Sequence, residues 1–500
     1  MSAIRNRIAS EGDSAWRCWA VGFIVLFAVA CPFWVVSVPP STDLPQHLSQ
    51  IFLLEEALAG GRPDLIPTPW YYANTLVYWL IYGFWQIADP LTAGRLTLSA
   101  LATGWLLGSY ALVRLRRRHI ENWLIGVPLV FNFLFYWGLV NFLSGWPVFC
   151  LFILATSGRP GRRQMLLMAG TACLLYYAHA LWFLMANLWL IARIVGRQAR
   201  SWHLSLLPML PTWVLACIWY PMLTAARRGS GVETGEYWGR VALERLDLNY
   251  LANAAQGGLQ GSLEPTYLLI LVGWMVVAVV TRWRRIDDEA DRPLLLAALV
   301  LILAFWVLPE KYMNTIFFNE RWLPCGLTLL LLALPPPRVP RLYGLTVGIA
   351  LTVIFSLATI KSWRAWDEEE MGGFLAAVGQ LRQEDRVFGM EMVGGSTFIK
   401  GRPGLQLSSY AQALRGCDTN FSFTEHYTGI VQYRNQIPVN PTRKLISFPY
   451  QTRPEHLVGF NRVLINGDAD AHEFARQRLN LEPMDDNSAT WRLYRISGQP

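Results

Sequence analysis

Charged residues are scarce in this chain of 500 residues, and that scarcity excludes most soluble proteins. Asp, Glu, Lys and Arg make up 16% of the residues and hydrophobic residues make up 53%, whereas a soluble globular domain is about 25% charged. The chain also carries 23 Trp and 24 Phe. These proportions predict a polytopic α-helical membrane protein and exclude a secreted soluble enzyme.

Lysine is also scarce, because only four of the 43 basic residues are Lys. The net charge of +8 could suggest a nucleic-acid partner. However, the arginines stand between long apolar runs, where positive charge orients helices in a membrane. We therefore expect membrane lipids and no nucleic acid among the partners.

Several catalytic and metal-binding signatures are missing. Six of the seven Cys lie in or beside apolar segments, which leaves Cys417 alone in the polar C-terminal part. No disulfide framework or Cys-based metal site can be built from that set. The chain has no P-loop, no nucleophile elbow, no zinc-protease motif and no dinucleotide loop. These absences therefore argue against ATP-driven transport by this chain alone.

The apolar runs predict about 11 transmembrane helices. Basic clusters follow the runs, for example at Arg114–Arg118 and Arg282–Arg285. If every cluster is cytoplasmic, the N-terminus is cytoplasmic and the C-terminus is periplasmic or extracellular. The apolar residues 74–88 then form a juxtamembrane helix. This topology predicts a multi-pass protein of a bacterial inner membrane with spans near 16–38, 91–113, 122–136, 138–156, 164–178, 180–196, 204–223, 266–281, 293–308, 322–334 and 340–360.

The composition divides the chain into two predicted parts. Residues 1–360 form the transmembrane domain, with a first outer loop at 39–90 and a long outer loop at 224–265. Residues 361–500 are polar and alternate helical and strand patterns, which predicts a small extracytoplasmic α/β domain. Its predicted elements are helices Glu368–Arg382 and Ala471–Leu479, and strands Arg386–Met390, Arg462–Ile465 and Thr490–Arg495.

Polar residues in the apolar part gather on the predicted outer side, and Asp43 is the sharpest candidate among them. Asp43 follows the first span between Pro40 and Pro45, which resist helix formation. A carboxylate held there could take the proton of an acceptor hydroxyl as a general base. It could equally cap the helix that begins near Leu44.

Further candidates surround Asp43 in this topology. Gln46 and His47 lie three and four residues after it, and His47 would share a helix face with Asp43. That pair leaves room for a divalent cation, but two ligands are too few to predict a metal site. His179 could be a core histidine or a ligand-binding residue. Asn141 could tie a hairpin turn or contact a ligand.

Basic candidates stand at the predicted outer mouths of the helices. Arg321 could bind a phosphate in a bidentate manner or could snorkel while paired with Glu310 or Glu320. Lys311 is the alternative cation for a phosphate. Arg95 opens the second span, where a structural role is the simplest interpretation.

The order of these features resembles the GT-C glycosyltransferases, the superfamily that includes protein O-mannosyltransferases and aminoarabinose transferases. Members have an acidic residue just after the first span, which Asp43 matches. The segment NTLVYWLIYGFWQIADPLTAGRLTLSALATGWLLGSYALVRLRRR is similar to their juxtamembrane helix, short turn and second span, in which Arg95 matches the opening Arg. The resemblance covers residues 16–120 and, by general layout, the later spans.

This resemblance implies transfer of a sugar from a polyprenyl-phosphate donor to a lipid or glycan acceptor, with inversion. Asp43 would act as the base, and Arg321 or Lys311 would bind the leaving phosphate. Many members have an Asp-Glu pair where this chain has Asp43-Leu44, and a His-Pro-Pro where it has Tyr72-Ala73-Asn74. These departures leave the donor sugar open.

Three other functions fit a cavity that opens outward. A transporter or flippase would place polar residues in the middle of its spans, whereas here they gather at the outer mouth. An O-antigen ligase-like enzyme would have its key Arg and His in a large late loop, but loop 224–265 has no His. A non-catalytic envelope assembly protein would not need the acidic residues of the outer loops.

Overall fold

The computed structural model describes residues 21–157, 161–197, 206–229, 235–313, 315–426, 429–435, 440, 442–484 and 489–497. The predicted cytoplasmic N-terminus and the start of the predicted first span lie outside the described residues. Residues 230–234 of the predicted long outer loop lie outside them as well.

The first half of the chain is almost entirely helical. Asp89 begins one long helix by accepting hydrogen bonds from the backbone N–H groups of Leu91 and Thr92, and Pro90 suits the first helical position because its missing donor is not needed there. The helices of this first half are α1 (Val21–Trp34), α2 (Leu44–Ala59), α3 (Leu76–Trp85), α4 (Pro90–Leu115), α5 (Ile120–Gly126), α6 (Phe133–Trp137), α7 (Val140–Ser157), α8 (Arg162–Ala178) and α9 (Ala180–Arg197).

The apolar helices continue to residue 365. They are α10 (Leu210–Gly229), α11 (Leu248–Ala255), α12 (Leu263–Arg282), α13 (Ile286–Glu289), α14 (Arg292–Val307), α15 (Leu323–Ala333) and α16 (Arg341–Ala365). The basic ends of several helices meet at one pole. There Arg116 binds Asp291 at 2.6 Å and Arg341 binds Glu121 at 2.9 Å.

Six stretches in the described residues are long and apolar enough to cross a membrane: Pro90–Leu115, Ile120–Trp137, Val140–Ser157, Leu207–Ala225, Leu263–Glu289 and Arg341–Glu370. Other predicted spans are helical but short. The 11 residues of α15 cover roughly 16 Å at 1.5 Å per residue, about half of the hydrocarbon thickness. The protein is a multi-pass membrane protein, and the number of 11 spans stays a prediction.

The strands of the chain are β1 (Leu65–Pro67), β2 (Glu236–Tyr237), β3 (Lys311–Tyr312), β4 (Arg386–Glu391), β5 (Asp418–Thr419), β6 (Val431–Tyr433), β7 (Arg462–Asn466), β8 (Leu481–Pro483) and β9 (Trp491–Ile496). Five of them form a mixed sheet of C-terminal residues in the strand order β5-β4-β7-β9-β8, in which β4 pairs in parallel with β5 and β7. The helices here are α17 (Phe374–Gly379), α18 (Tyr410–Arg415) and α19 (Ala469–Leu479).

The predicted helix Glu368–Arg382 is wrong as a single element. A π turn at Trp366–Glu370 follows α16, and α17 begins only after Gly373. Gly373 has φ +83°, a conformation that glycine adopts without a steric penalty. The chain therefore turns at this glycine instead of continuing the helix.

The first outer loop and the C-terminal residues are joined by backbone hydrogen bonds. Strand β1 of the loop pairs antiparallel with β6, with Ile66 opposite Gln432. The two sequence regions therefore meet, and the candidate site lies where they meet.

Candidate active site

The loop that carries Asp43 is fixed by its main chain. The backbone N–H groups of Thr42 and Asp43 donate to the carbonyls of Tyr136 (2.9 Å) and Trp137 (3.0 Å). The Ser41 hydroxyl donates to the carbonyl of Phe135 at 2.9 Å. Three successive residues are thus held against the end of α6, so Asp43 cannot shift independently of that helix.

Gly138 makes this close approach feasible. Its φ is +79°, and a Cβ built on it would lie 2.6 Å from the backbone N of Asp43 and 2.9 Å from that of Leu44. Any larger residue would combine a strained backbone with a steric overlap. Glycine at this turn is therefore a requirement for the position of Asp43.

The carboxylate of Asp43 makes no helix-capping hydrogen bond, so the capping interpretation is wrong. Its Oδ1 instead accepts a hydrogen bond of 2.8 Å from Nε2 of Gln406. Burial raises the pKa of Asp43 to about 8, and the positive charge of Arg321 opposes that rise. A carboxyl group whose pKa lies near the working pH is suited to general acid-base chemistry.

Asp43 lines a cavity of about 530 Å³ together with four other predicted residues, His47, Asn141, His179 and Arg321. Five of the eight candidates therefore share one space. Side chains from widely separated parts of the chain complete the lining, among them Asn74, Tyr78, Trp137, Arg402, Gln406, Phe421 and Phe423.

His47 is a buried, neutral member of the cavity wall. Its Nδ1 lies 2.9 Å from the hydroxyl of Tyr78, and its ring packs edge-on against Phe423 with centroids 5.3 Å apart. Burial lowers the pKa of His47 to about 3. The imidazole therefore acts as a neutral hydrogen-bonding group beside Asp43.

Arg321 is buried at the cavity and is not a snorkelling surface residue. Its guanidinium donates to the carbonyl of Ile316 at 2.9 Å and lies 5.7 Å from the ring centroid of Phe142. Among the described residues no carboxylate forms an ion pair with Arg321. Glu310, one of its two predicted partners, pairs with Arg240. Burial lowers the pKa of Arg321 to about 10, while Asp43 opposes that shift. A cation buried without an ion-pair partner is well suited to bind an anion.

The tip of the α8–α9 hairpin brings His179 to the cavity. The chain is extended at His179, with φ −165° and ψ +130°, and Oδ1 of Asn74 accepts from the N–H of Ala180 at 2.9 Å. The N–H of Leu181 donates to Nδ1 of His179 at 3.2 Å, which leaves the proton of a neutral ring on Nε2. His179 therefore offers a donor to a ligand.

Asn141 retains an unused acceptor. Its Oδ1 is buried and has no hydrogen-bond partner in the part of the chain that the structure describes. A buried polar atom without a partner costs free energy, so a ligand hydroxyl that donates to this oxygen would recover it.

Three predicted site residues do not line the cavity. Gln46 lies behind Asp43, where its side chain hydrogen-bonds Ser409 and the backbone of Phe421 and Phe423. Arg95 donates to the carbonyl of Ser37 at 2.6 Å. Lys311 belongs to β3, which pairs with β2, and it is absent from the cavity lining. Gln46 and Arg95 therefore serve the architecture around the site.

The residues missed by the sequence analysis come mainly from the C-terminal part. Gln406 and Arg402 line the cavity, and the Arg402 guanidinium pairs with the buried Glu391. They stand about 360 residues after Asp43 in the chain, and no spacing pattern links them. Asn74 was visible only as a departure from the His-Pro-Pro of the resembled family.

A second cavity of about 420 Å³ adjoins the first, and Trp137 lines both. Phe317 and Gly401 face the second cavity, while their neighbours Ile316 and Arg402 face the first. The two cavities are therefore neighbours that share Trp137 in their linings. Glu320 and Lys400 supply charge on the far side.

No group of three or more His, Cys, Asp or Glu side chains that could hold a metal ion occurs among the described residues. The divalent cation suggested by Asp43 and His47 therefore rests on those two side chains alone.

Two solved structures are similar to this chain over nearly its whole length. ArnT from Cupriavidus metallidurans, bound to undecaprenyl phosphate, superimposes with a TM-score of 0.53 at 10% identity and covers 98% of each chain. Arabinofuranosyltransferase AftD from Mycobacteria, in a mutant form, gives a TM-score of 0.50 at 14% identity, over 97% of this chain and 42% of its own. No protein-family model matches the sequence, and a search of curated proteins gives no match either. ArnT and AftD are GT-C glycosyltransferases, and this chain has the GT-C fold.

Proposed function

We propose that the protein is a membrane glycosyltransferase that moves a sugar from a polyprenyl-phosphate donor to a hydroxyl of an extracytoplasmic lipid or glycan. The observation that carries this proposal is the cavity that Asp43 and Arg321 share, a buried carboxyl group and a buried cation that has no ion-pair partner among the described residues. The fold supports it, because the similar ArnT structure was solved with undecaprenyl phosphate bound.

The proposed reaction is a single displacement. Asp43 takes the proton of the acceptor hydroxyl, and the resulting oxygen nucleophile forms a bond to the anomeric carbon. The bond between that carbon and the phosphate oxygen breaks, and the phosphate leaves with the electron pair. Attack from the face opposite the phosphate inverts the anomeric centre.

The leaving phosphate needs positive charge, and two guanidinium groups line the cavity. Arg321 is the principal phosphate ligand in this proposal, because it has no competing carboxylate in the described residues. Arg402 replaces Lys311, the predicted alternative cation, as the second candidate, since Arg402 lines the cavity and Lys311 does not. Stabilisation of charge that develops during the reaction is the largest contribution such residues can make.

The neutral residues of the cavity bind sugar hydroxyls in this proposal. The Oδ1 atom of Asn141 accepts from a hydroxyl, and Nε2 of His179 donates to one. Phe421 and Phe423 offer apolar ring surface beside them.

The test is sugar transfer by the purified full-length protein in lipid vesicles, with a panel of radiolabelled polyprenyl-phosphate sugars. Asp43→Asn should lower the transfer rate by about 100-fold or more, the loss expected for a general base. Glu56→Gln, on the same helix but away from the cavity, is the matched control and should keep full activity. Equal rates for Asp43→Asn and wild type would exclude Asp43 as the base.

The same vesicles test the transporter hypothesis. Movement of the labelled lipid across the bilayer, without sugar transfer to any added acceptor, would contradict the proposed transferase and favour a flippase.

A further inference from the structure

Asp43 receives its one side-chain hydrogen bond, among the described residues, from the C-terminal part of the chain. Nε2 of Gln406 donates to Oδ1 of Asp43 at 2.8 Å. The other carboxylate oxygen, Oδ2, accepts no hydrogen bond from a described residue. Since the main chain of Asp43 is already fixed by Trp137, this bond determines how the carboxylate is rotated in the cavity.

The segment that carries Gln406 is anchored on both sides to the loop and helix of Asp43. Before Gln406, the Thr42 hydroxyl donates to the carbonyl of Arg402 at 3.2 Å. After it, the Ser49 hydroxyl donates to the carbonyl of Ser409 at 2.7 Å. The two anchors lie seven residues apart, so the Gln406 side chain is held against Asp43 by contacts within the site itself.

The amide orientation favours one protonation state. A glutamine N–H can donate to an ionised carboxylate, and a hydrogen bond to the charged form stabilises that form. Burial has the opposite effect on Asp43 and favours the neutral acid. Gln406 therefore opposes the effect of burial on the carboxylate that must accept a proton.

We propose that Gln406 is a positioning residue for Asp43, which stabilises the ionised form of the carboxylate and turns its free oxygen, Oδ2, toward the acceptor hydroxyl. This inference rests on the proposed transferase function. It gives residues 402–409 a role in the reaction, so that the catalytic group comes from the first outer loop and its orientation from the C-terminal part.

The first test observes Asp43 without any transfer reaction. Infrared spectra of the wild-type protein minus those of Asp43→Asn isolate the carboxylic C=O band of Asp43, and a pH titration of that band gives its midpoint. In the Gln406→Leu background the midpoint should rise by about one pH unit, because a charge-assisted hydrogen bond is lost. An unchanged midpoint would overturn the proposal.

The second test is the pH profile of sugar transfer. Gln406→Leu should lower the rate by about tenfold at pH 7 and regain most of the loss at alkaline pH, where Asp43 ionises without help. The KM for the donor should stay unchanged. A loss that is equal at every pH would show that Gln406 has only a structural role.

Two further variants complete the design. Gln412→Leu removes another buried glutamine, from the neighbouring α18, and should leave both midpoints unchanged. Gln406→Glu keeps the size and polarity of the side chain and should raise the Asp43 midpoint further than leucine does, by charge repulsion. A shift in Gln412→Leu as large as in Gln406→Leu would overturn the proposal. If the wild type transfers no sugar, the proposed function fails, while the infrared titration still tests the hydrogen bond.

Discussion

At the scale of single residues, the properties of Asp43 follow from its surroundings more than from its identity. Removal from water raises its pKa to about 8, and Arg321 opposes that rise across the cavity. The same two effects act on Arg321: burial lowers its pKa to about 10, and the charge of Asp43 opposes that shift. The two groups are therefore both ionised in a window between about pH 8 and pH 10.

The first prediction is the pH dependence of transfer. Below pH 8 the rate should rise about tenfold per pH unit as Asp43 ionises, and it should decline above about pH 10 as Arg321 loses its proton. Steady-state rates between pH 5 and pH 11 measure the profile. A flat profile between pH 5 and pH 8 would contradict the assignment of Asp43 as the base.

The second prediction concerns stability. The pKa of Asp43 is about 8 in the folded protein against 3.8 for the free side chain, so folding favours its protonated form. The free energy of unfolding should therefore fall as the pH rises from 4 to 8. Asp43→Asn should remove this loss and raise the Tm at pH 9 relative to wild type, with little difference at pH 4. Thermal unfolding in detergent measures both values.

The third prediction separates charge from shape at Arg321. Arg321→Gln should lower kcat/KM by about 100-fold, because the leaving phosphate loses its cation, and should shift the pH midpoint upward. Arg321→Lys retains the charge but loses the planar fork, so the midpoint should stay near pH 8 while part of the rate is lost. Equal midpoints in the two variants would contradict the coupling between Arg321 and Asp43.

At the scale of elements, the position of the loop that carries Asp43 depends on the turn at Gly138. The end of α6 supplies carbonyl groups to Ser41, Thr42 and Asp43, and Gly138 allows the two segments to approach. The other walls of the cavity are positioned by strand β1, by the contact of Asn74 with the tip of the α8–α9 hairpin and by the contacts of α2 with Ser409. The site is therefore built on short, hydrogen-bonded turns between helices.

The fourth prediction tests that turn. Gly138→Ala should abolish transfer and lower the Tm, because a Cβ there would overlap the backbone of Asp43 and a positive φ costs an alanine about 1 kcal/mol or more. Gly83→Ala is the control: it lies in α3, where a Cβ would meet nothing within 4 Å, so helix propensity should make it neutral or stabilising. Normal activity of Gly138→Ala would show that Asp43 need not be held at this position.

At the scale of the whole molecule, an ion pair between the partly exposed Lys400 and the buried Glu264 links the C-terminal residues to the apolar helices. Nζ of Lys400 lies 2.7 Å from Oε2 of Glu264, and Oε1 of Glu264 accepts from the N–H groups of Gly258 and Leu259. Lys400 also donates to Asn253 at 2.7 Å. Lys400 stands two residues before Arg402 in the chain, so its ion pair with Glu264 helps to hold the segment that reaches Asp43.

The fifth prediction is a double-mutant test of that link. Lys400→Met leaves the carboxylate of Glu264 buried without a positive counter-charge and should destabilise the protein by about 3 kcal/mol. Adding Glu264→Gln removes the unpaired charge and should restore most of the Tm. Thermal unfolding of the two single variants and the double variant measures the coupling. Additive effects would contradict a direct interaction.

The sequence alone was sufficient to predict the membrane class, the helical segments and several side chains of the cavity. A bilayer must be crossed by helices whose backbone groups are hydrogen-bonded within the helix. Apolar runs and the residues that end them therefore identify such helices from the local sequence alone. Asp43, His47, Asn141, His179 and Arg321 were recognisable because polar groups at the edge of apolar runs are unusual. The similarity of residues 16–120 to GT-C enzymes predicted the fold that the structural comparison supports.

The tertiary structure decided which of these residues meet and what each can do. The side chain of Asp43 could cap a helix or face a ligand, and only the structure shows that it makes no capping hydrogen bond and instead accepts one from Gln406, 363 residues away in the chain. Gln46, Arg95 and Lys311 matched the same local criteria but do not line the cavity. Arg402 and Gln406 resemble any polar residues of a soluble segment until the fold brings them to the first outer loop. Long-range packing, which no local pattern encodes, therefore determined the composition of the site.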